Sequence, residues 1–155
     1  MPRSTLRAVL AGALLMVTLC AASAKAAELS AEIKSALSSS KYVYIASTRK
    51  NGTLSKPAEI WFLYHDGAVY VGTPPTTWRA RRIKAGRTTA KIWVGRPDGP
   101  SFMATGAIVN EPAVYPVMFE TYAKKYAGDW SKFEDKFRTG FKDGSRVLIK
   151  FVPKD

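Results

Sequence analysis

Cysteine and histidine are nearly missing: 155 residues hold one of each, Cys20 and His65. Structural zinc, a disulfide framework or a Cys–His nucleophile pair would each need side chains this chain does not have, and no metal site is expected. Acid is scarce too. Asp and Glu number 12 against 24 Lys and Arg, a formal charge of +12 that favours anionic over cationic ligands. There is no Gly-x-Ser-x-Gly elbow, no Gly-x-Gly-x-x-Gly turn and no Ser-His-Asp motif, so hydrolase and nicotinamide-fold classes fall away. No internal repeat or low-complexity tract is present. What is present is ordinary for a folded chain: 46% hydrophobic, 23% charged and 12% aromatic residues, at the length of one domain with one core.

The amino-terminal 26 residues are set apart as a secretory signal. Arg3 and Arg7 precede an apolar run from Ala8 to Ala22, too short for a comfortable membrane span, and small residues at Ala24 and Ala26 offer cleavage before Ala27. Arg3 and Arg7 are not adjacent, which excludes a twin-arginine signal, and Leu19 before Cys20 is too large for a lipoprotein signal. The alternative is an uncleaved anchor. The expectation is export to the periplasm or beyond, with no stable membrane anchor after cleavage. The mature chain then lacks cysteine and keeps 21 basic residues against 12 acidic, a charge of +9.

Residues 27–41 should form a helix and linker. Leu29, Ile33 and Leu37 recur every four residues, with Ser30 as the cap, and this helix should lid one end of the core. From Tyr42 the pattern turns to strands: Tyr42 to Thr48, an Asn51-Gly52 turn with positive φ angles, Lys56 to Tyr64, an Asp66-Gly67 turn, and Ala68 to Thr73. Pro74-Pro75 stops the third strand and leads into a basic helix, Thr76 to Ala85, ended by Gly86. Strands at Thr88 to Val94 and Ser101 to Val109 follow, joined by the turn-rich stretch 95–100. A second helix opens at Pro112 or Pro116, carries Val114, Val117, Met118 and Tyr122 on one face and ends near Gly128. A short polar helix over Trp130 to Arg138 and a last strand from Arg146 to Val152 complete the chain. Six strands in hairpin order, with helices after the third and fifth, predict a mainly β antiparallel barrel or sandwich rather than a parallel sheet.

Only the junction of the third strand and the basic helix has chemistry at a telling spacing. Thr73, Thr77 and Arg79 place two hydroxyls and a guanidinium around a helix start, where unpaired amides and a positive dipole end favour an anion. The plainer alternative is that Thr76 or Thr77 caps the helix and the arginines face solvent. Elsewhere, His65 fits a solvated loop histidine, and Trp61 and Trp93 fit core or interface positions.

The succession of an Asn51-Gly52 turn, a strand ending Ile60-Trp61-Phe62, an Asp66-Gly67 turn, a strand ending at Thr73 and a basic helix resembles the pyridoxamine 5'-phosphate oxidase-like split barrels, over nearly all of Tyr42 to Lys154. That resemblance implies a six-stranded antiparallel split β-barrel of Greek-key type over residues 42–155, working as a homodimer. It implies flavin mononucleotide as cofactor, with deazaflavin or haem in other branches. In that family a Thr, a Ser four residues on and a Lys or Arg two beyond clasp the flavin phosphate, and Thr73, Thr77 and Arg79 match that spacing. Some members also carry an Arg sixteen residues before the Thr; here that position is Pro57, leaving Lys56 to supply the charge. Trp78 stands where an Arg is common. The implied cofactor site is therefore Lys56, the backbone of Ala58, Glu59, Ile60 and Trp61, then Thr73, Thr77, Trp78 and Arg79, with Arg82 and Lys84 raising the local potential.

Two functions follow from the resemblance together with the export signal. One is a flavin-dependent oxidoreductase acting on a small molecule, in which the flavin carries the electrons and no catalytic side chain need be visible. The other is a non-enzymatic periplasmic module holding haem or another anionic cofactor. Nucleic acid is not an expected partner, because an exported protein rarely meets it.

Overall fold

The computed structural model describes residues 26–155; the secretory segment expected over 1–26 lies, but for Ala26, outside the described residues. Among them the strands are β1 (Val43–Ser47), β2 (Ala58–Ile60), β3 (Leu63–His65), β4 (Ala68–Thr73), β5 (Thr89–Val94), β6 (Ser101–Val109) and β7 (Val147–Lys154). They form one antiparallel sheet in the order β2-β1-β5-β6-β7-β4-β3. The run Lys56 to Tyr64, expected as one strand, is two, so the sheet has seven strands rather than six. β2 pairs with β1 and β3 with β4, at opposite edges of the sheet, yet only Trp61 and Phe62 separate them in sequence. Three Cα steps span at most about 10 Å, so the sheet must curl until its edges nearly meet. The result is a split barrel whose seam is closed by chain rather than by a ladder.

At the seam Phe62 is fully buried and its backbone has no strand partner. Its N–H donates instead to the Tyr126 hydroxyl at 3.0 Å, which in turn donates to the Lys41 carbonyl at 2.7 Å, and the Lys125 ammonium donates to the Phe62 carbonyl at 3.3 Å. Lys125 and Tyr126, consecutive residues where one helix ends and the next begins, thus satisfy both backbone groups that the split leaves open.

Turn chemistry sets the hairpins. Asp66 and Gly67 both take positive φ, 47° and 74°, which gives a two-residue turn closing the His65–Ala68 pair. At Asn51-Gly52 only Gly52 is left-handed, at 84°, and Asn51 contributes its side-chain oxygen to the Thr53 N–H at 3.1 Å.

Alternation along the strands makes two cores. Val43, Ile45, Phe62, Val69, Val71, Ile92, Val94, Phe102, Ile149 and Phe151 fill the barrel. Its ends are covered by α1 (Ala31–Ser39), through Leu37, and by α2 (Trp78–Lys84), through Ala80 and Ile83. Ser30 caps α1 by accepting from the Ile33 N–H, as the sequence predicts. Outside the barrel, α3 (Val114–Lys125) and α4 (Ala127–Asp143) lay Met118, Tyr122, Trp130 and Phe137 over Leu63, Tyr70 and Leu148. The helix expected to be short and polar over Trp130 to Arg138 is therefore a 17-residue amphipathic one. Gly128 belongs to its first turn, and the left-handed stop is Gly144, at φ 82°. No helix of the described residues is long and apolar enough to cross a membrane.

Candidate functional site

α2 follows from Thr77, whose hydroxyl accepts from the Ala80 N–H at 3.4 Å and donates to the Pro74 carbonyl at 3.0 Å. The Thr77 hydroxyl is thus the helix cap that the plainer alternative expected. The helix is only 7 residues long, and its cations contribute more than its dipole. Ala80 and Ile83 point into the barrel, and this turns Trp78, Arg79 and Arg82 toward a cleft of about 420 Å³ between α2, β1 and β2. The cleft is lined by Ile45 and Ser47 of β1, Arg49, Ser55 and Lys56 of the hairpin and linker, Ala58 and Glu59 of β2, and Thr77, Trp78, Arg79 and Arg82.

Charge in this cleft is one-sided. Arg49, Lys56, Arg79 and Arg82 face a single carboxylate, Glu59, which already accepts from the Tyr44 hydroxyl. Arg82 is anchored, its Nη1 donating to the buried Ser47 hydroxyl at 2.8 Å, and Arg49 is held by the Leu54 carbonyl at 2.9 Å. Arg79 is different. Its Nε is buried without a hydrogen-bond partner, and burial, then the neighbouring Arg82 charge, pull the guanidinium down to about 10. An unpaired cation set beside a second one is destabilising unless an anion joins them. Trp78 is 69% exposed at the rim, with Arg81 and Arg82 near its ring at 5.6 and 5.7 Å.

Seven of the expected site residues thus line one cleft: Lys56, Ala58, Glu59, Thr77, Trp78, Arg79 and Arg82. Ile60, Trp61 and Thr73 face a neighbouring cavity that shares Glu59, and Thr73 meets the first cleft only through its hydroxyl, 3.4 Å from that of Thr77. Lys84 lies elsewhere, in a groove with Pro75, Ala107 and Ile108, because two residues past Arg82 the helix has turned about 200° away from the cleft. Ser47, Arg49 and Ser55 escaped the sequence reading. Ser47 had a signal: it is the one polar residue in the inward phase of Val43, Ile45, Ser47. Arg49 and Ser55 had none, since their place depends on how the hairpin folds over β1. His65 does not line the cleft; it pairs with Asp66 at 3.2 Å beside the β3–β4 turn.

No protein-family model matches the sequence, and no curated protein matches it significantly. Solved structures do match in fold. A conserved hypothetical protein from Mycobacterium tuberculosis superposes with a TM-score of 0.63 at 18% identity, over 85% of this chain and 84% of that one. HutZ, the heme storage protein from Vibrio cholerae, gives 0.56 at 14% identity, over 83% and 92%. A protein related to general stress protein 26, of the pyridoxinephosphate oxidase family, from Clostridium acetobutylicum gives 0.56 at 19% identity, over 79% and 81%. The fold is therefore that of the pyridoxamine 5'-phosphate oxidase-like split barrels, as the sequence resemblance implies.

Proposed function

We propose that the chain is an exported flavoprotein that binds flavin mononucleotide in the α2–β1–β2 cleft and acts as an oxidoreductase on a small molecule. The observation that carries this reading is Arg79: a guanidinium with an unpartnered, buried Nε, beside Arg82, in a cleft whose only carboxylate is already engaged. A phosphate monoester would pair those charges, with Arg79 and Arg82 as ligands and Lys56 and Arg49 closing the approach. β2 offers its backbone as one wall and Trp78 an exposed aromatic ring at the rim, which suits a planar ring system. When bound, flavin supplies the hydride or electron transfer, and the protein's task is to hold and orient it. Positive charge around the cleft would favour the reduced, more anionic cofactor and raise its potential.

Arg79→Ala removes a charge-assisted contact worth ~1.5 to 3 kcal/mol, so flavin mononucleotide affinity should fall roughly tenfold to a hundredfold by calorimetric titration. Arg81 lies beside the Trp78 ring but is not among the residues lining the cleft, so Arg81→Ala should bind as the parent does. The reverse pattern would place the site on the wrong face. Turnover is tested separately: the reconstituted, reduced protein should be reoxidised by some member of a panel of quinones and other small acceptors faster than free flavin is. Uniform equality with free flavin would favour storage over catalysis.

The storage reading has support in the fold shared with the heme storage protein HutZ. Against haem as the occupant here, His65 lies away from the cleft. Association into a homodimer belongs to the same proposal, through the sheet face argued below, and export rests on the segment 1–26.

A further inference from the structure

Beside the cationic cleft, across Glu59 and Thr73, lies a second cavity of about 300 Å³, lined by Glu59, Ile60, Trp61, Gly72, Thr73, Phe133, Phe137 and Arg146. Its walls are aromatic. The Trp61 and Phe137 ring planes lie within 10° of parallel at 6.3 Å, and Phe133 meets Trp61 edge-on at 5.5 Å while staying 38% exposed. Its one cation is Arg146, whose guanidinium sits 3.9 Å over the Phe137 ring, with Nη1 donating to the Gly72 carbonyl at 3.1 Å. The Arg146 Nε is buried and has no partner, and no acid pairs with Arg146 among the described residues. Two glycines make the arrangement possible. A Cβ on Gly72 would meet Phe137 and Phe141 ring carbons at 2.8 Å, and one on Gly140 would meet the Arg146 Cβ at 2.7 Å.

We propose that this cavity binds a small planar aromatic carboxylate, its ring packed against Trp61 and the part-exposed Phe133 and its carboxylate on the Arg146 guanidinium. A phosphate dianion fits poorly here, since there is one guanidinium, apolar walls and Glu59 at the rim. A neutral aromatic would leave Nε unpaired. The site's use as a substrate site rests on the flavin reading of the adjoining cleft; the binding itself does not.

The test is titration of the ¹⁵N-labelled chain with benzoate, following the indole N–H signals of the four tryptophans. The Trp61 signal should shift saturably while Trp78 and Trp93 stay still. Arg146→Gln should weaken binding about tenfold or more, and Phe133→Ala several-fold. Cyclohexanecarboxylate, with the charge but no aromatic face, and benzyl alcohol, with the ring but no charge, should each bind more weakly than benzoate. Shifts that do not saturate, or a benzoate affinity unchanged in Phe133→Ala and matched by benzyl alcohol, would overturn the proposal. If Arg146→Gln does not fold, those last two comparisons decide. Flavin mononucleotide titrated in parallel separates the two readings: benzoate binding without flavin binding removes only the flavin site, and flavin binding without benzoate binding removes only this one.

Discussion

Single residues at the barrel seam carry more than their share of the fold. Lys125 donates to the Phe62 carbonyl with its ammonium 3.3 Å from the centroid of the Phe62 ring, and burial pulls it down to about 8 with no opposing carboxylate. In the unfolded chain the amine returns to an ordinary lysine value. Between about pH 8 and that value the unfolded state therefore binds more protons than the native one, and this group's contribution to stability rises with pH. Below pH 8 the native state carries a half-buried charge. Lys125→Met removes the titration, so the parent should gain stability relative to the variant between about pH 7 and pH 9.5, measured by urea unfolding at each pH. A constant difference across that interval would show that Lys125 is solvated like any surface amine. Arg79 is a second cation that burial pulls down, and its Nε has no hydrogen-bond partner; in the proposed function a bound phosphate would supply one.

At the scale of elements, the docking of α4 depends on a missing side chain in a strand. Gly72 sits in β4 where Phe137 and Phe141 press on the sheet, and the 2.8 Å contacts a Cβ would make involve two rings already packed against other aromatics. Gly72→Ala should thus cost about 1 to 3 kcal/mol through overpacking, read as a lower urea midpoint with an unchanged slope. Gly67→Ala is a control with another cause, left-handed backbone at φ 74° in open space, and should cost less, about 1 kcal/mol. None of the first effect was legible in the sequence, where Gly72 was simply one residue of the strand Ala68 to Thr73. β4 and β6 stand where the flanking Pro and Gly put them, because local signals suffice for a strand bounded by turns. The division of Lys56 to Tyr64 into β2 and β3 was not legible, since what breaks it is pairing with strands at opposite edges. α4 was misjudged at both ends: Gly128, read as closing the preceding helix, falls in the first turn of α4, and the left-handed stop is Gly144, beyond the expected end at Arg138. The cationic cleft was half legible. The spacing of α2 placed Arg79 and Arg82 together, while Lys84 required knowing which helix face the barrel takes.

The whole molecule presents one sheet face that neither hydrophobic cluster covers. Tyr44 lies opposite Trp93 in the β1–β5 ladder, and Met103 lies opposite Lys91 in the β5–β6 ladder; none of Tyr44, Trp93 or Met103 belongs to either core. Of the two tryptophans that fit core or interface positions by sequence, Trp61 stacks on Tyr126 at 4.1 Å and only Trp93 lies on this face. Tyr and Trp on an open sheet suit a self-complementary contact, though a stable one needs roughly 800 Å² from each copy. Charge opposes it. Each copy cleaved before Ala27 carries +9, and Lys91 stands 4.9 Å from the centre of the Trp93 ring, so two copies repel over distances that salt screens, while the apolar contact is untouched by salt. Dimerisation should therefore strengthen between about 20 mM and roughly 0.3 M salt, whereas phosphate-directed flavin binding should weaken over the same range. Sedimentation equilibrium at tens of micromolar chain should show a dimer in the higher salt, and Trp93→Glu, which buries a charge only in the paired state, should restore the monomer without lowering the melting temperature of the separated chain. A monomeric mass for the parent at the higher salt would leave Tyr44 and Trp93 as surface residues and require the cleft to work within a single copy.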